Sequence, residues 1–211
     1  MATQPVIFFD LDGTIIDVSI RHHTVYKECI EECGGRPLDR AVYWRQKRAK
    51  VSWSDLLVES DVGANLLPQF MDKFIAKIEA PAYLTLDTVV PGALEALHTL
   101  PHKKYLVSLR RSEAALTKEL KNLGLITEFE QVLSGHTEQE GADLKVALIK
   151  PLGITEAVLI GDTEADILAA QRLGFRSVAV LSGIRNRQIL ADLKPDHIIQ
   201  GISGLPALLK A

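Results

Sequence analysis

The segment that most constrains the fold of this chain is residues 6–14, with the sequence VIFFDLDGT. Its four consecutive apolar residues predict a strand buried on both faces, which is typical of a parallel sheet. Asp10 and Asp12 follow directly, at the carboxyl end of that strand, where open α/β sheets bind their ligands. Two carboxylates this close repel each other unless a cation lies between them, and a hard cation such as Mg²⁺ takes oxygen ligands. The same residues are also ordinary turn chemistry, so alone they leave both interpretations open.

The rest of the chain divides into a helical stretch and an alternating stretch. Helical patterns without a convincing strand occupy about residues 18–33, 39–50, 52–60 and 65–80. From about residue 89 onward helices alternate with short apolar strands, at about residues 105–108, 131–134, 157–160, 177–181 and 198–199. That alternation predicts an α/β fold with a doubly wound parallel sheet. We expect residues 1–16 and 84–211 to form its core, and residues 17–83 to form a small all-helical domain inserted after strand 1.

Composition argues against several classes of protein. The chain has 211 residues and a net charge of only −3, so neither nucleic acid nor a membrane surface is expected as a partner. No apolar run approaches the length that spans a membrane. The first strand begins so near the start of the sequence that no signal peptide is expected. Cys29 and Cys33 lack the other ligands of a zinc site, and we expect them to be free thiols of a cytoplasmic protein.

Polar residues follow later strands as well. Ser108 ends the strand at residues 105–108, and Asp162 follows the strand at residues 157–160, with Asp166 in the next helix. Because parallel strands bring their carboxyl ends to one edge of a sheet, these groups should converge with the first two aspartates. Taken singly, Ser108 could be a plain strand-end hydroxyl, and Asp166 could be an acid in a first helical turn that the helix dipole favours.

The predicted cluster of four carboxylates needs positive charge. A divalent cation would supply part of it, and a lysine would supply the rest. Lys145 is the candidate lysine, and Lys150 is its rival.

Taken in order, these residues resemble the motifs of a known family. Residues 10–14, DLDGT, look like the first motif of the haloacid dehalogenase-like (HAD) hydrolases. Ser108 looks like the second motif, Lys145 like the third, and residues 161–166, GDTEAD, like the fourth. The helical insertion resembles the C1 cap of phosphoglycolate phosphatase-like members. The resemblance covers the whole chain and implies a HAD-like Rossmannoid core with a helical cap.

The resemblance implies a role for the residues that follow the first strand. Asp10 would be the nucleophile that forms an aspartyl-phosphate, and Asp12 would be the general acid and base. Thr14 would orient Asp12 or its loop, although a plain turn residue is the alternative. Mg²⁺ would be held by the Asp10 carboxylate, the backbone carbonyl of Asp12 and the Asp162 carboxylate.

The remaining motif residues would serve the phosphoryl group. Ser108 and backbone N–H groups such as that of Leu109 would bind phosphoryl oxygens, and Lys145 would pair with the nucleophile and the phosphate. Gly161 and Asp166 would support the site, with Asp166 steadying Lys145 or a metal-bound water.

Four basic residues are candidate substrate contacts. Arg110 and Arg111 belong to the sequence LRR that follows Ser108, at a point where many relatives have Asn. A guanidinium pairs well with phosphate or carboxylate, but a solvated loop is the favoured interpretation. Arg45 and Lys47 lie in a locally basic stretch of the insertion, which suits an anionic substrate, although such runs are usually solvated helix faces.

The expected protein is therefore a Mg²⁺-dependent phosphatase that hydrolyses a small phosphorylated metabolite, as a monomer or homodimer. A phosphomutase acting on a sugar phosphate is an alternative, because water and a sugar hydroxyl compete for one aspartyl-phosphate. A non-catalytic HAD-fold binding protein is another, although Asp10 and Asp12 are both present. Haloacid dehalogenase chemistry would need neither Asp12 nor a metal.

Overall fold

The computed structural model describes residues 6–136 and 141–210. The chain divides into two compact units. Met1–Asp17 and Thr88–Ala211 form the first, which we call the core unit, and Val18–Asp87 form the second, the helical unit. The core unit resumes later than the expected residue 84, because Pro81–Leu84 form a further short helix and Thr88 is the residue that pairs with Asp17.

The core unit is built on a parallel sheet of six strands. In chain order, the strands of the described residues are β1 (Val6–Phe9), β2 (Ile16–Asp17), β3 (Thr88–Val89), β4 (Lys104–Ser108), β5 (Gln131–Ser134), β6 (Ala157–Gly161), β7 (Arg176–Val180) and β8 (His197–Ile199). The six-stranded sheet has the order β5-β4-β1-β6-β7-β8, and each neighbouring pair is parallel. The predicted fold class is thereby confirmed. Since β1 lies between β4 and β6, the residues after these three strands meet at one edge.

Helices fill the connections between the strands. They are α1 (Ser19–Glu32), α2 (Arg40–Arg48), α3 (Trp53–Glu59), α4 (Leu67–Ile78), α5 (Pro81–Leu84), α6 (Ala93–Thr99), α7 (Glu113–Asn122), α8 (Gly141–Ile149), α9 (Glu164–Leu173), α10 (Arg187–Asp192) and α11 (Leu205–Lys210). The first five belong to the helical unit and the other six to the core unit.

Apolar side chains fix the central strands against the helices of the core unit. Phe8, Val107 and Leu159 are buried in one cluster with residues of α8 and α9. Phe8 also stacks on Phe175, with 5.7 Å between the ring centroids. Burying each such side chain contributes about 1.5–3 kcal/mol. The carboxyl ends of the central strands are therefore held on a rigid base.

A second, very small sheet marks the point where the chain leaves the core unit and returns to it. Strands β2 and β3 are antiparallel, with Ile16 opposite Val89 and Asp17 opposite Thr88. Each has only two residues, which is too short to produce the alternating pattern that predicts a strand. The sequence pattern therefore does not predict these two strands.

The helical unit has an aromatic core of its own. Tyr26 stacks on Tyr43 with 4.2 Å between the ring centroids, and Trp53 packs against Phe70 and Phe74. The four longer helices lie within a few residues of the predicted ones. The added short helix α5 begins at a proline, which is favoured at the first position of a helix.

A buried ion pair joins the beginning and the end of the helical unit. Arg21 on α1 donates from Nε to the Asp87 carboxylate at 3.0 Å. Its Nη1 donates to the backbone carbonyl of Ile78 at 2.9 Å. Both side chains of the pair are almost fully buried. This pair binds the first helix to the last residue of the unit.

Candidate active site

The site starts where β1 ends. The backbone N–H of Asp10 donates to the carbonyl of Ile160 on β6 at 2.8 Å, which continues the ladder by one residue and sets the Asp10 side chain at the sheet edge. The chain then turns at Gly13, whose φ of 80° favours glycine. Thr14, buried behind the turn, lies with Oγ1 3.4 Å from Oδ2 of Asp10. The hydroxyl therefore faces Asp10, and the role of Thr14 in orienting Asp12 or its loop stays a prediction.

Asp162 enters the site from the end of β6. Its Oδ2 accepts a hydrogen bond from the backbone N–H of Ile184 at 2.5 Å. Gly13 and Gly183 press against its carboxyl group so closely that a Cβ on either glycine would overlap it. The hydroxyl of Ser182 ties these two loops together by donating to the carbonyl of Gly13 at 2.8 Å. The Asp162 carboxylate is thus held in a narrow cradle of backbone.

Lys145 supplies the positive charge of the site. Its Nζ lies 2.6 Å from Oδ1 of Asp10 and also pairs with Asp166. Asp166 in turn accepts hydrogen bonds from the backbone N–H and the hydroxyl of Thr163, at 3.1 and 2.7 Å. Thr163 caps helix α9, so the start of this helix holds the Asp166 carboxylate in place. Asp166 in turn holds the ammonium group of Lys145. Lys150, the rival lysine, is exposed.

Negative charge nevertheless exceeds positive charge here. Carboxylate oxygens of Asp10, Asp162 and Asp166 all lie within 4.8 Å of one another. Burial raises the pKa of Asp10 to about 7, with Asp166 adding to the rise and Lys145 opposing it. Burial also raises the pKa of Asp162 well above its ordinary value, and the charges of Asp10 and Asp166 add to this rise. The ammonium of Lys145 does not balance the whole cluster.

One buried oxygen indicates what would complete the site. Oδ1 of Asp162 is buried and has no hydrogen-bond partner among the described residues. A buried carboxylate oxygen is costly unless it is hydrogen-bonded or coordinates a cation. Oxygen donors around excess negative charge are the donor set that Mg²⁺ prefers, so these residues fit a magnesium ion.

The phosphate-binding candidates follow β4. Ser108 is the last residue of that strand and is buried beside β1. The backbone carbonyl of Ser108 accepts from the N–H of Gly135 at 3.2 Å, which joins the loops after β4 and β5. Leu109 lies next to Gly141, at the start of α8. The structure therefore brings Ser108 and Leu109 to the same sheet edge as Asp10 and Asp162.

The two arginines that follow have different environments. Arg110 is only 5% exposed, so the expected solvated loop is wrong for this residue. Its Nε donates to Oδ2 of Asp12 at 2.8 Å, and its Nη2 donates to Oδ1 at 2.6 Å. Nη2 also lies 3.4 Å from Oε2 of Glu119 on α7. Arg111 is exposed, and its Nε lies 3.3 Å from Nε2 of His136.

The other two basic candidates lie in the helical unit, in the last turn of α2. Arg45 is exposed. Lys47 places its Nζ 4.5 Å from the centre of the Trp53 ring, a cation–π contact within its own unit. Their contact with a substrate stays a prediction.

Fold and site together define an α/β enzyme with an acidic centre at the carboxyl edge of a parallel sheet. Residues 7–180 match the family of haloacid dehalogenase-like hydrolases. The phosphoglycolate phosphatase of Nitrosococcus oceani is 28% identical over 227 residues, which cover 99% of this chain and 98% of the relative. That of Cereibacter sphaeroides is 26% identical over 223 residues, covering 98% of both. A haloacid dehalogenase-like hydrolase from Streptococcus pneumoniae shares the fold with a TM-score of 0.80, at 21% identity over 99% of each chain.

The family match spans most of the chain, so this protein belongs to the haloacid dehalogenase-like hydrolases, as its motifs predicted. Together with its phosphatase relatives, the match identifies an enzyme of the phosphoric monoester hydrolase class. Within residues 6–136 and 141–210, no helix is both long enough and apolar enough to cross a membrane.

Proposed function

We propose that this enzyme is a Mg²⁺-dependent phosphatase that hydrolyses a small phosphorylated metabolite through an aspartyl-phosphate on Asp10. The observation that carries the proposal is the contact of 2.6 Å between Lys145 and Asp10, inside a cluster of buried carboxylates that lacks balancing positive charge. The Asp10 and Asp162 carboxylates and the backbone carbonyl of Asp12 would hold the metal. When bound, Mg²⁺ would neutralise charge on the nucleophile and on the phosphoryl group.

In the first half of the reaction, a carboxylate oxygen of Asp10 attacks phosphorus and the ester oxygen leaves. Asp12 gives the leaving oxygen a proton, which makes it a better leaving group. Lys145 opposes the effect of burial on Asp10 and favours its ionised, nucleophilic form. Ser108 and the backbone N–H of Leu109 bind phosphoryl oxygens.

In the second half, water attacks the phosphorus of the aspartyl-phosphate, and the bond between phosphorus and the Asp10 oxygen breaks, which restores the Asp10 carboxylate. Asp12 takes a proton from this water, which restores its acid form for the next cycle and releases inorganic phosphate. Asp166 keeps Lys145 in place throughout, and Thr14 steadies Asp10 from the side of the turn. Each proton that Asp12 gives to a leaving group is thus recovered from water.

The helical unit serves as the cap in this proposal, closing over the substrate and limiting the entry of water. Residues 18–87 would then supply contacts to the part of the substrate that leaves. The names of the relatives make phosphoglycolate the first substrate to test. We place the enzyme in the cytoplasm, since Cys29 and Cys33 are both free thiols.

The test is release of inorganic phosphate from phosphoglycolate and from nitrophenyl phosphate, with and without Mg²⁺. We expect activity to require the metal and to fall by more than about 10³-fold in Asp10→Asn, because this change removes the nucleophile. Asp143→Asn is the matched control, since Asp143 is an exposed acid that pairs with Arg172 on the outer side of α8 and α9. Acid-quenched wild type should yield a phosphorylated peptide that contains Asp10. Equal activity of Asp10→Asn and wild type would refute the mechanism.

A further inference from the structure

We infer that Arg110 is a positioning residue for Asp12, and that Glu119 holds Arg110 in place for this task. The inference rests on the proposed function, because it concerns how Asp12 is presented to the leaving oxygen of the substrate. In this role Arg110 would contact neither the phosphoryl group nor the metal. It acts by fixing the carboxylate that carries the proton.

The contacts between Arg110 and Asp12 have the geometry of a fork. Nε and Nη2 of the guanidinium donate to the two different carboxylate oxygens, at 2.8 and 2.6 Å. Two parallel hydrogen bonds to a carboxylate fix both its position and the plane in which its oxygens lie. A single contact, such as one from a lysine, leaves rotation about the Asp12 side chain unrestricted.

The three side chains become more buried from Asp12 to Glu119. The Asp12 side chain is 32% exposed, whereas those of Arg110 and Glu119 are 5% and 3% exposed. Of the three side chains, only that of Asp12 is substantially exposed to solvent. The guanidinium therefore lies between Glu119 on α7, whose Oε2 is 3.4 Å from Nη2, and Asp12, to which it donates the two hydrogen bonds of the fork.

Asp12 keeps the capacity to exchange a proton while it is held. An ionised carboxylate has about four lone-pair sites, and the fork occupies two of them. Fixing the carboxylate plane thus orients the oxygen that exchanges a proton with the leaving group, and a misplacement of about 1 Å in such a group can lower a rate about 10²-fold.

The fork already directs two of the nitrogen atoms of Arg110 at Asp12, so we do not assign Arg110 to the substrate. The pair also differs from the structural pair of Arg21 and Asp87 in that its carboxylate, on Asp12, is 32% exposed. If Arg110 positions Asp12, its shorter contacts should go to Asp12, and they do: they are 2.8 and 2.6 Å long, compared with 3.4 Å to Glu119.

The dependence of rate on the leaving group tests the inference. The substrates are nitrophenyl phosphate, phenyl phosphate and an alkyl phosphate, which need a proton from Asp12 to an increasing extent. The quantity to compare is kcat/KM, because it includes the step in which the leaving group departs. For Arg110→Gln we expect a loss of about 10²-fold with the alkyl phosphate and of less than about threefold with nitrophenyl phosphate. Arg110→Lys, which keeps the charge without the fork, should recover less than about a tenth of the lost activity.

A double-mutant cycle separates positioning from damage to the fold. Asp12→Asn should show the same leaving-group pattern as Arg110→Gln, with a larger loss. Combining the two changes should be no worse than Asp12→Asn alone, because Arg110 acts through Asp12. Arg172→Gln is the matched control, since Arg172 forms an exposed pair with Asp143 outside the site, and it should match wild type on all three substrates.

Arg110→Gln leaves Glu119 buried without its guanidinium and is at risk of misfolding. Arg110→Gln with Glu119→Gln removes that buried charge, and it should show the same selective loss with the alkyl phosphate. A loss that is equal for all three substrates, or one that adds in full to that of Asp12→Asn, would overturn the inference. If the wild-type enzyme cleaves none of the three substrates, the proposed function itself fails.

Discussion

Each unit of this enzyme contains a buried basic side chain that faces carboxylate, and the two environments differ. In the helical unit, Arg21 pairs with Asp87 and also donates to the carbonyl of Ile78. In the core unit, Lys145 is shared between Asp10 and Asp166, with a third acid nearby. Both basic side chains are about 1% exposed, so burial alone does not distinguish the pair in the helical unit from the proposed catalytic pair in the core unit.

The difference lies in the balance of charge. Of the described residues, only Asp10, Asp162 and Asp166 bring three potential metal ligands within 4.8 Å of one another. The raised pKa values of Asp10 and Asp162 follow from burial together with this crowding. An excess of buried negative charge is unfavourable to the fold unless a cation balances it, as the proposed Mg²⁺ would. The pair of Arg21 and Asp87 has no such excess of negative charge, because one guanidinium faces one carboxylate.

The largest expected effect concerns the pair in the helical unit. Arg21→Met should lower the free energy of unfolding by about 3–5 kcal/mol, because it leaves the Asp87 carboxylate buried without its guanidinium. Urea denaturation measures the loss. Arg21→Met with Asp87→Leu should regain most of it, since an apolar pair of similar volume replaces the ion pair. A loss below about 1 kcal/mol in the single variant would show that this pair is not a structural one.

Removing the basic side chain of the core unit should act on catalysis. Lys145→Met should lower kcat/KM for phosphate release by about 10²- to 10³-fold, the effect typical of losing one group that stabilises charge in the transition state. Steady-state kinetics at saturating Mg²⁺ measures it. Lys150→Met is the matched control, because Lys150 is exposed and follows the same helix. Equal activity of Lys145→Met and wild type would show that Lys145, like Arg21, has no part in catalysis.

The smallest effect links the crowded acids to pH. A carboxyl whose pKa is raised from 3.8 to about 7 on folding stabilises the protein fully below pH 3.8, and this contribution is lost as pH rises through about 7. The proposed Mg²⁺ would bind the ionised form, so its stabilisation of the fold should be about 1–2 kcal/mol greater near pH 8 than near pH 5. Thermal unfolding with Mg²⁺ or EDTA measures the difference. Asp10→Asn should reduce this pH dependence, and an unchanged dependence would assign it to other groups.

The residues that end the central strands could be predicted from the sequence. Asp10, Ser108 and Asp162 each follow a short apolar run, and a parallel sheet necessarily brings such positions to one edge. The choice between Lys145 and Lys150 was harder. Helix α8 is apolar around most of its circumference, so the sequence did not indicate which face packs on the sheet.

The pairing of Arg110 with Asp12 could not be predicted in the same way. Two adjacent arginines after a strand suggest a solvated loop, and nothing local shows that one of them is buried. Its burial follows from the order of strands, because β4 lies next to β1 and brings its loop to the residues after β1. The sequence gives the order of strands along the chain, whereas their order across the sheet depends on packing between distant segments.

The two-residue strands β2 and β3 also bear on how such a protein can diversify. Asp17 and Thr88 face each other in an antiparallel pair, so the chain leaves and re-enters the core unit at neighbouring positions. Because the two residues that flank the insertion are paired with each other, the pairing does not depend on the intervening residues 18–87. Insertions tend to be accepted where the two chain ends lie close together. The scaffold can therefore exchange one insertion for another of different length and surface while its acids, lysine and strands keep their places.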